Sequence, residues 1–244
     1  MNVTKILTEK MFTEDFRARE KALEEVCSLI INDKITDEGK LLVLDYSLKI
    51  LFVDIGRDKN CHIRATNLCV IQCILEDNCE KDYILDDKLD EIYSVMIEYV
   101  SLEKVEFGYV EEIGMVHTLA HIADIFTTFF TYRRFCNMNK FKVYFELIST
   151  KYFSNNYVFI TDEAARIFRI FNYFYIDSSN VEFIIEFLED YKKTFKKGIE
   201  GLNQRQNYYN YLHVLHFFTN DMELLRFIVS QLEGKYKRYI DGIL

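Results

Sequence analysis

Residues 36–56 read TDEGKLLVLDYSLKILFVDIG, and this stretch decides the fold class. Thr36 is a helix-capping residue type, and Asp37 and Glu38 place negative charge in the first turn, where the helix dipole favours it. Leu41, Leu44, Leu48, Leu51 and Phe52 then recur at intervals of mostly three and four, which puts them on one face of a helix over about 37–54. Gly56 is read as the stop, because glycine tolerates the backbone that ends a helix. The two-residue alternation of a half-buried strand is almost absent from the rest of the chain, whereas the helical period is nearly everywhere.

Working outward, the spacing predicts helices near 14–32 (entered after Thr13), 59–77, 88–102 (opened by Asp86 or Asp87) and 110–131. Further helices are predicted near 138–152, 162–176 (capped by Thr161 or Asp162), 181–197 (after Ser178, Ser179 and Asn180, ending at Gly198), 203–219 and 222–240 (opened by Asp221). Residues 103–109 and 154–160 have β-like composition but no strand partner, and are read as irregular connections or extended helix ends. Ten such helices with short connections make an all-α protein. Helix-plus-turn spacing gives paired units of about 40 residues, the length of HEAT and armadillo repeats. The expected architecture is therefore a HEAT/armadillo-like right-handed stack of antiparallel helix pairs, with an irregular compact helical bundle as the alternative. Nothing resembling a linker divides the chain, so one α-helical domain over residues 1–244 is expected.

The composition narrows the function classes. The 244 residues are 50% apolar and include 21 Phe and 17 Tyr, no proline, no tryptophan and eight glycines. So many aromatics exclude a disordered chain. The apolar run Ile122–Phe130 is too short for a membrane span and is closed by Arg133 and Arg134. The N-terminus lacks the pattern of a signal peptide, so a cytoplasmic location is expected. A net charge of −9 argues against a nucleic-acid partner. The charge is uneven: residues 1–130 hold 14 basic against 26 acidic residues, and residues 131–244 hold 16 against 13. Cys27, Cys61, Cys69, Cys73, Cys79 and Cys136 form no C-x-x-C pair and are read as free structural thiols.

The segment EKVEFGYVEEIGMVHTLAHIAD, Glu103–Asp124, carries the candidate chemistry. If it is helical through its second half, His117, His121 and Asp124 lie at about 0°, 40° and −20° around the axis, on one narrow face. Glu111 comes from the same segment, and Gly114 lies at the edge of that face. Three readings are open. The triplet can bind a divalent metal, line a small-molecule or peptide pocket, or form a structural polar network in which Asp124 orients His121. HTLAH lacks the glutamate of a zincin motif, and the structural network is the commonest use of such residues. Downstream, Glu163 and Arg166 share a helix face, and Glu163 is a candidate to meet the His117–His121 face. His213 and His216 form a second pair, and Lys192, Lys193, Lys196 and Lys197 form a basic run at a helix end. No phosphate loop, nucleophile elbow or dinucleotide fingerprint is present.

The same segment resembles the signature of an uncharacterised bacterial family, domain of unknown function 2785. Glu103, Gly108, Tyr109, Val110, Gly114, His117, Ala120, His121, Ala123 and Asp124 match it. Val105, Phe107, Ile113 and Met115 stand where the family usually has Asp, Arg, Lys and Trp. Glu163 and Arg166 match a later family-like element. The resemblance implies an all-helical, HEAT-like fold and no known activity. The expected function is a non-enzymatic helical-repeat binding or scaffold protein with a protein or peptide partner and no cofactor. The alternative is a metal- or small-molecule-binding enzyme centred on His117, His121 and Asp124.

Overall fold

The computed structural model describes residues 10–57, 60–104, 108–110, 114–132, 137–159, 162–172 and 178–240. Among these residues the protein is helical. The elements in chain order are α1 (Phe16–Ile31), α2 (Asp37–Ile50), α3 (Cys61–Lys81), α4 (Asp86–Leu102), β1 (Tyr109–Val110), β2 (Gly114–Met115), α5 (Thr118–Thr131), α6 (Met138–Phe153), α7 (Glu163–Phe168), a 3-10 turn (Arg169–Asn172), α8 (Ser178–Lys193), α9 (Gly198–Phe218) and α10 (Met222–Ile240). They fall into two compact units, Met1–Arg133 and Arg134–Leu244.

In the first unit α3 is central, and α1, α2 and α5 each pack against it. Its sequence shows why. Residues 61–75 hold one charged residue, Arg64. Ile63, Leu68, Val70, Ile71, Ile74 and Leu75 are all buried, and of residues 61–75 only Cys69 and Gln72 are half-buried, so this length of helix is enclosed almost all round. Arg64 is itself fully buried. Its guanidinium donates to both oxygens of Glu103, from Nε at 2.6 Å and Nη2 at 3.2 Å. It also donates to the carbonyls of Val53 (3.2 Å), Asp54 (3.1 Å) and Arg57 (2.8 Å). The Tyr99 hydroxyl donates to Glu103 at 2.8 Å. One cation thus ties the turn after α2 to the end of α4.

A second buried cation works in the same way. Lys40 donates to Asp77 at 2.7 Å and Asp33 at 2.8 Å, over the ring of Tyr83. Lys81 bonds the same two carboxylates. Hydrogen bonds from Lys40 and Lys81 hold the Asp33 carboxyl at about 2.

Several local expectations are met and several corrected. Thr36 caps α2 by accepting from the Gly39 N–H at 3.2 Å. The helix ends at Ile50, however, not near 54: the Phe52 and Val53 N–H groups reach back only three residues, to the Lys49 and Ile50 carbonyls, and Asp54 turns to φ +50°. Its buried face is Val43, Leu44, Ser47 and Leu48; Leu41 is only half-buried. Gly56 sits beyond, at φ +73°, in the turn. Asp15, not Thr13, caps α1. The helix expected over 110–131 starts only at Thr118, and before it Tyr109 pairs with Met115 and Val110 with Gly114 in an antiparallel register. The β-like composition there does find a partner, a few residues downstream.

In the second unit α9 is central and touches α6, α7 and α10. Tyr211, fully buried, meets Phe168 at 4.4 Å and Phe153 at 4.6 Å between ring centroids, and its hydroxyl bonds Ser149. Residues 155–159 form an irregular connection, bent at 156–157, and their partner is a row of side-chain amides on α9. Asn203 donates to the Asn156 carbonyl at 2.6 Å and Asn207 to the Tyr157 carbonyl at 2.9 Å, while Asn207 also accepts from the Phe159 N–H at 3.1 Å. The helix expected over 162–176 is α7 followed by the 3-10 turn, and residues 173–177 lie outside the described ones. Gly198, expected to end α8, opens α9 instead at φ +75°. Asp221 starts α10 as expected, accepting from the Glu223 and Leu224 N–H groups at 2.9 Å.

The all-helical class is thus found among the described residues, and the enclosed helix α3 is compatible with an irregular bundle. None of the helices of the described residues is long and apolar enough to cross a membrane.

Candidate functional site

The signature segment is built as a short hairpin leading into α5. The Gly108 carbonyl accepts from the Val116 N–H at 2.9 Å and the His117 N–H at 3.1 Å. Val116 packs against Cys61 and Ala65 in the first turns of α3. The chain then turns into α5 through His117, which adopts φ +41°, ψ +33° at the N-cap. That left-handed backbone costs a non-glycine residue about 1 kcal/mol or more, and histidine is among the residues that adopt it most readily. His117 is therefore not on the helical face with the other two, which corrects the one-face expectation. Gly114 is likewise in β2 and not on α5. His121 and Asp124 do share the α5 face. The His117 and His121 rings still approach edge-on, at 6.5 Å between centroids. His117 and Asp124 are buried and His121 half-buried.

One partner of His121 is a residue that no spacing rule pointed to. Cys69, half-buried on α3, has its sulfur 3.4 Å from Nδ1 and 3.5 Å from Nε2 of His121. The two residues are 52 positions apart and meet because α5 lies along α3. A thiol beside an imidazole can pass its proton to the ring, and the resulting thiolate is a nucleophile and a soft metal ligand.

Glu111 lies outside the described residues, as do Val105, Phe107, Ile113 and Cys136. Glu163 and Arg166 both stand on α7 in the second unit, Glu163 fully buried and Arg166 half-buried. Three of the four lysines of the run bond neighbours: Lys192 bonds Gln231, Lys193 bonds Asp190 and Lys196 bonds Glu200. His213 and His216 face α10 across an open groove of about 680 Å³, lined also by Phe217, Val229, Leu232 and Tyr236. His213 Nε2 lies 3.1 Å from the Tyr236 hydroxyl. Burial, with Lys235 nearby, lowers the His213 imidazole below its ordinary value. Phe217 is 84% exposed in this groove.

One buried histidine escaped the sequence reading altogether. His62, on the first turn of α3, is 6% exposed, and neither ring nitrogen has a hydrogen-bond partner among the described residues. Burial, with Arg19 and Arg64 nearby, lowers its imidazole to about 4.

The family model described as "Protein of unknown function (DUF2785)" matches residues 51–218. The chain belongs to the DUF2785 family. That span runs from the turn held by Arg64 to the exposed end of α9, and includes the whole signature segment. No curated protein and no solved structure matches it. The geometry assigns physical roles to several signature positions of this chain. Glu103 holds the buried Arg64, Gly108 supplies the carbonyl that turns the hairpin into α5, and Ala120 and Ala123, both fully buried, let α5 lie close against its neighbours.

Proposed function

We propose that this DUF2785 member is a non-enzymatic helical binding protein. Its docking face is the groove between α9 and α10, and its partner is an apolar, acidic amphipathic peptide segment. The observation that carries the reading is Phe217, a large aromatic side chain left 84% exposed beside Val229, Leu232 and Tyr236. Aromatic side chains in such a setting are typical anchors of binding surfaces, and apolar grooves between helices are a recurring seat for amphipathic helices. Lys237 and the imidazoles of His213 and His216 border the groove beside the single acid Glu233, and offer hydrogen-bond donors to carboxylates flanking the apolar face of the ligand. The helix-pair spacing supports a HEAT-like stack and the enclosed α3 supports a bundle; the proposal requires only the α9–α10 face. A fluorescently labelled peptide with leucines on one helical face and glutamates flanking it tests the reading by polarisation. Binding should weaken by about tenfold or more in Phe217→Ser, equivalent to roughly 1.4 kcal/mol. Equal affinity of the two proteins, or equal affinity for a scrambled peptide, contradicts it.

A second reading rests on the Cys69 and His121 contact. It makes the signature segment a reactive-thiol site with His117 and Asp124 as neighbouring polar groups. Alkylation of Cys69 by iodoacetamide should slow in His121→Gln if the imidazole activates the thiol. An unchanged rate sinks this reading.

A further inference from the structure

Cys27 and Cys73 belong to neither of these sites. Cys27 lies half-buried on α1 and Cys73 buried on α3, 46 residues apart, on two helices that pack together. The Cys73 sulfur is 4.0 Å from the Cys27 carbonyl oxygen, so the two residues face each other across the helix contact. Both carry free thiols. We infer that Cys27 and Cys73 form a redox site, in which a hydroperoxide converts the two thiols into a disulfide linking α1 to α3.

The asymmetry of the pair sets the order of events. The Cys73 S–H points to the Cys27 carbonyl, and interaction with the Cys73 side chain holds the Cys27 thiol below its ordinary value. Interaction with Cys27, together with burial, pushes Cys73 up. Cys27 is thus the sulfur that ionises first, and it is also the more exposed of the two. Its thiolate attacks the O–O bond of the hydroperoxide and becomes a sulfenic acid; the departing oxygen takes a proton and leaves as water or alcohol. The Cys73 sulfur then attacks the sulfenic sulfur and gives up its proton, and the hydroxyl leaves as water. Two thiols are oxidised by two electrons in total, and one peroxide bond is reduced. Cys69, one turn before Cys73 on α3, faces His121 on α5 and takes no part.

The test uses the full chain. Reduced protein is exposed to hydrogen peroxide, free thiols are blocked with N-ethylmaleimide, and a non-reducing digest is read by mass spectrometry. The expected product is a peptide pair joined through Cys27 and Cys73, lighter by about 2 Da than the sum of its reduced parts. It should persist in Cys69→Ser and vanish in Cys27→Ser, where the half-buried position tolerates the change. Recovery of both cysteines as maleimide adducts overturns the inference. So does Cys27 recovered as sulfinic acid or joined to any cysteine other than Cys73. A wild-type rate of Cys27 alkylation in Cys73→Ser overturns the assigned order of attack.

Discussion

Replacing Glu103 with alanine strikes the bond that joins the family signature to the rest of the first unit. Glu103 accepts two hydrogen bonds from the Arg64 guanidinium and one from the Tyr99 hydroxyl. Arg64 is fully buried, so it has no water to turn to when the carboxylate is removed. Breaking one partner of such a buried pair costs about 3–5 kcal/mol, because the remaining charge stays desolvated. At roughly 2–4 °C per kcal/mol for a chain of this size, a loss of about 4 kcal/mol lowers Tm by roughly 8–16 °C. Thermal and urea unfolding followed by circular dichroism measure both quantities. The double variant Arg64→Leu, Glu103→Leu should lose clearly less than the sum of the two single changes, since it leaves no orphan charge. A cost below about 1 kcal/mol for Glu103→Ala would put the pair in the range of a surface ion pair and refute the reasoning.

Three other outcomes are expected. His62 stays neutral in the folded protein down to about 4 but takes a proton near 6.5 when unfolded. The unfolded state therefore binds more protons as pH falls through that window, and folding stability drops by up to about 3 kcal/mol. A His62→Leu variant should lose this part of the slope between pH 7 and pH 4 in urea titrations. An alanine Cβ at Gly201 would sit 1.7 Å from the Lys196 carbonyl oxygen, so Gly201→Ala should displace the start of α9 and lower Tm sharply; Gly234→Ala meets open space in α10 and should stabilise by up to about 1 kcal/mol. Oxidation that joins Cys27 to Cys73 closes a loop 46 residues apart in sequence and should raise stability by up to about 4 kcal/mol, read as a higher Tm without reductant.

What was legible in the sequence was whatever one helix can encode by itself. Thr36 and Asp221 cap the helices they were expected to open, and the three-and-four spacing places nearly every helix within a few residues. Helix ends were less legible where a distant group intervenes. Arg64 holds the turn after α2 by taking the carbonyls of Val53 and Asp54, and residue 64 cannot be connected to residue 53 by periodicity. The hairpin before α5 shows the same limit. Two residues per strand give too short an alternation to register as a strand, and so His117 seemed to belong to the helix it only caps. His121 stands out in the sequence as a polar residue on an apolar helix, but Cys69, which it meets, lies 52 positions away. The partner of the irregular segment 155–159 did leave a trace. Asn203, Asn207 and Asn210 recur at four and three residues along α9, a spacing that lines up amides on one face.

Hydrogen exchange measured by mass spectrometry, with and without the leucine-and-glutamate peptide, tests the proposed binding face most directly. The account predicts slower exchange confined to residues 213–237, lost in Phe217→Ser. Slowing centred on Cys69 and His121, or no slowing under conditions where the peptide binds, would contradict it.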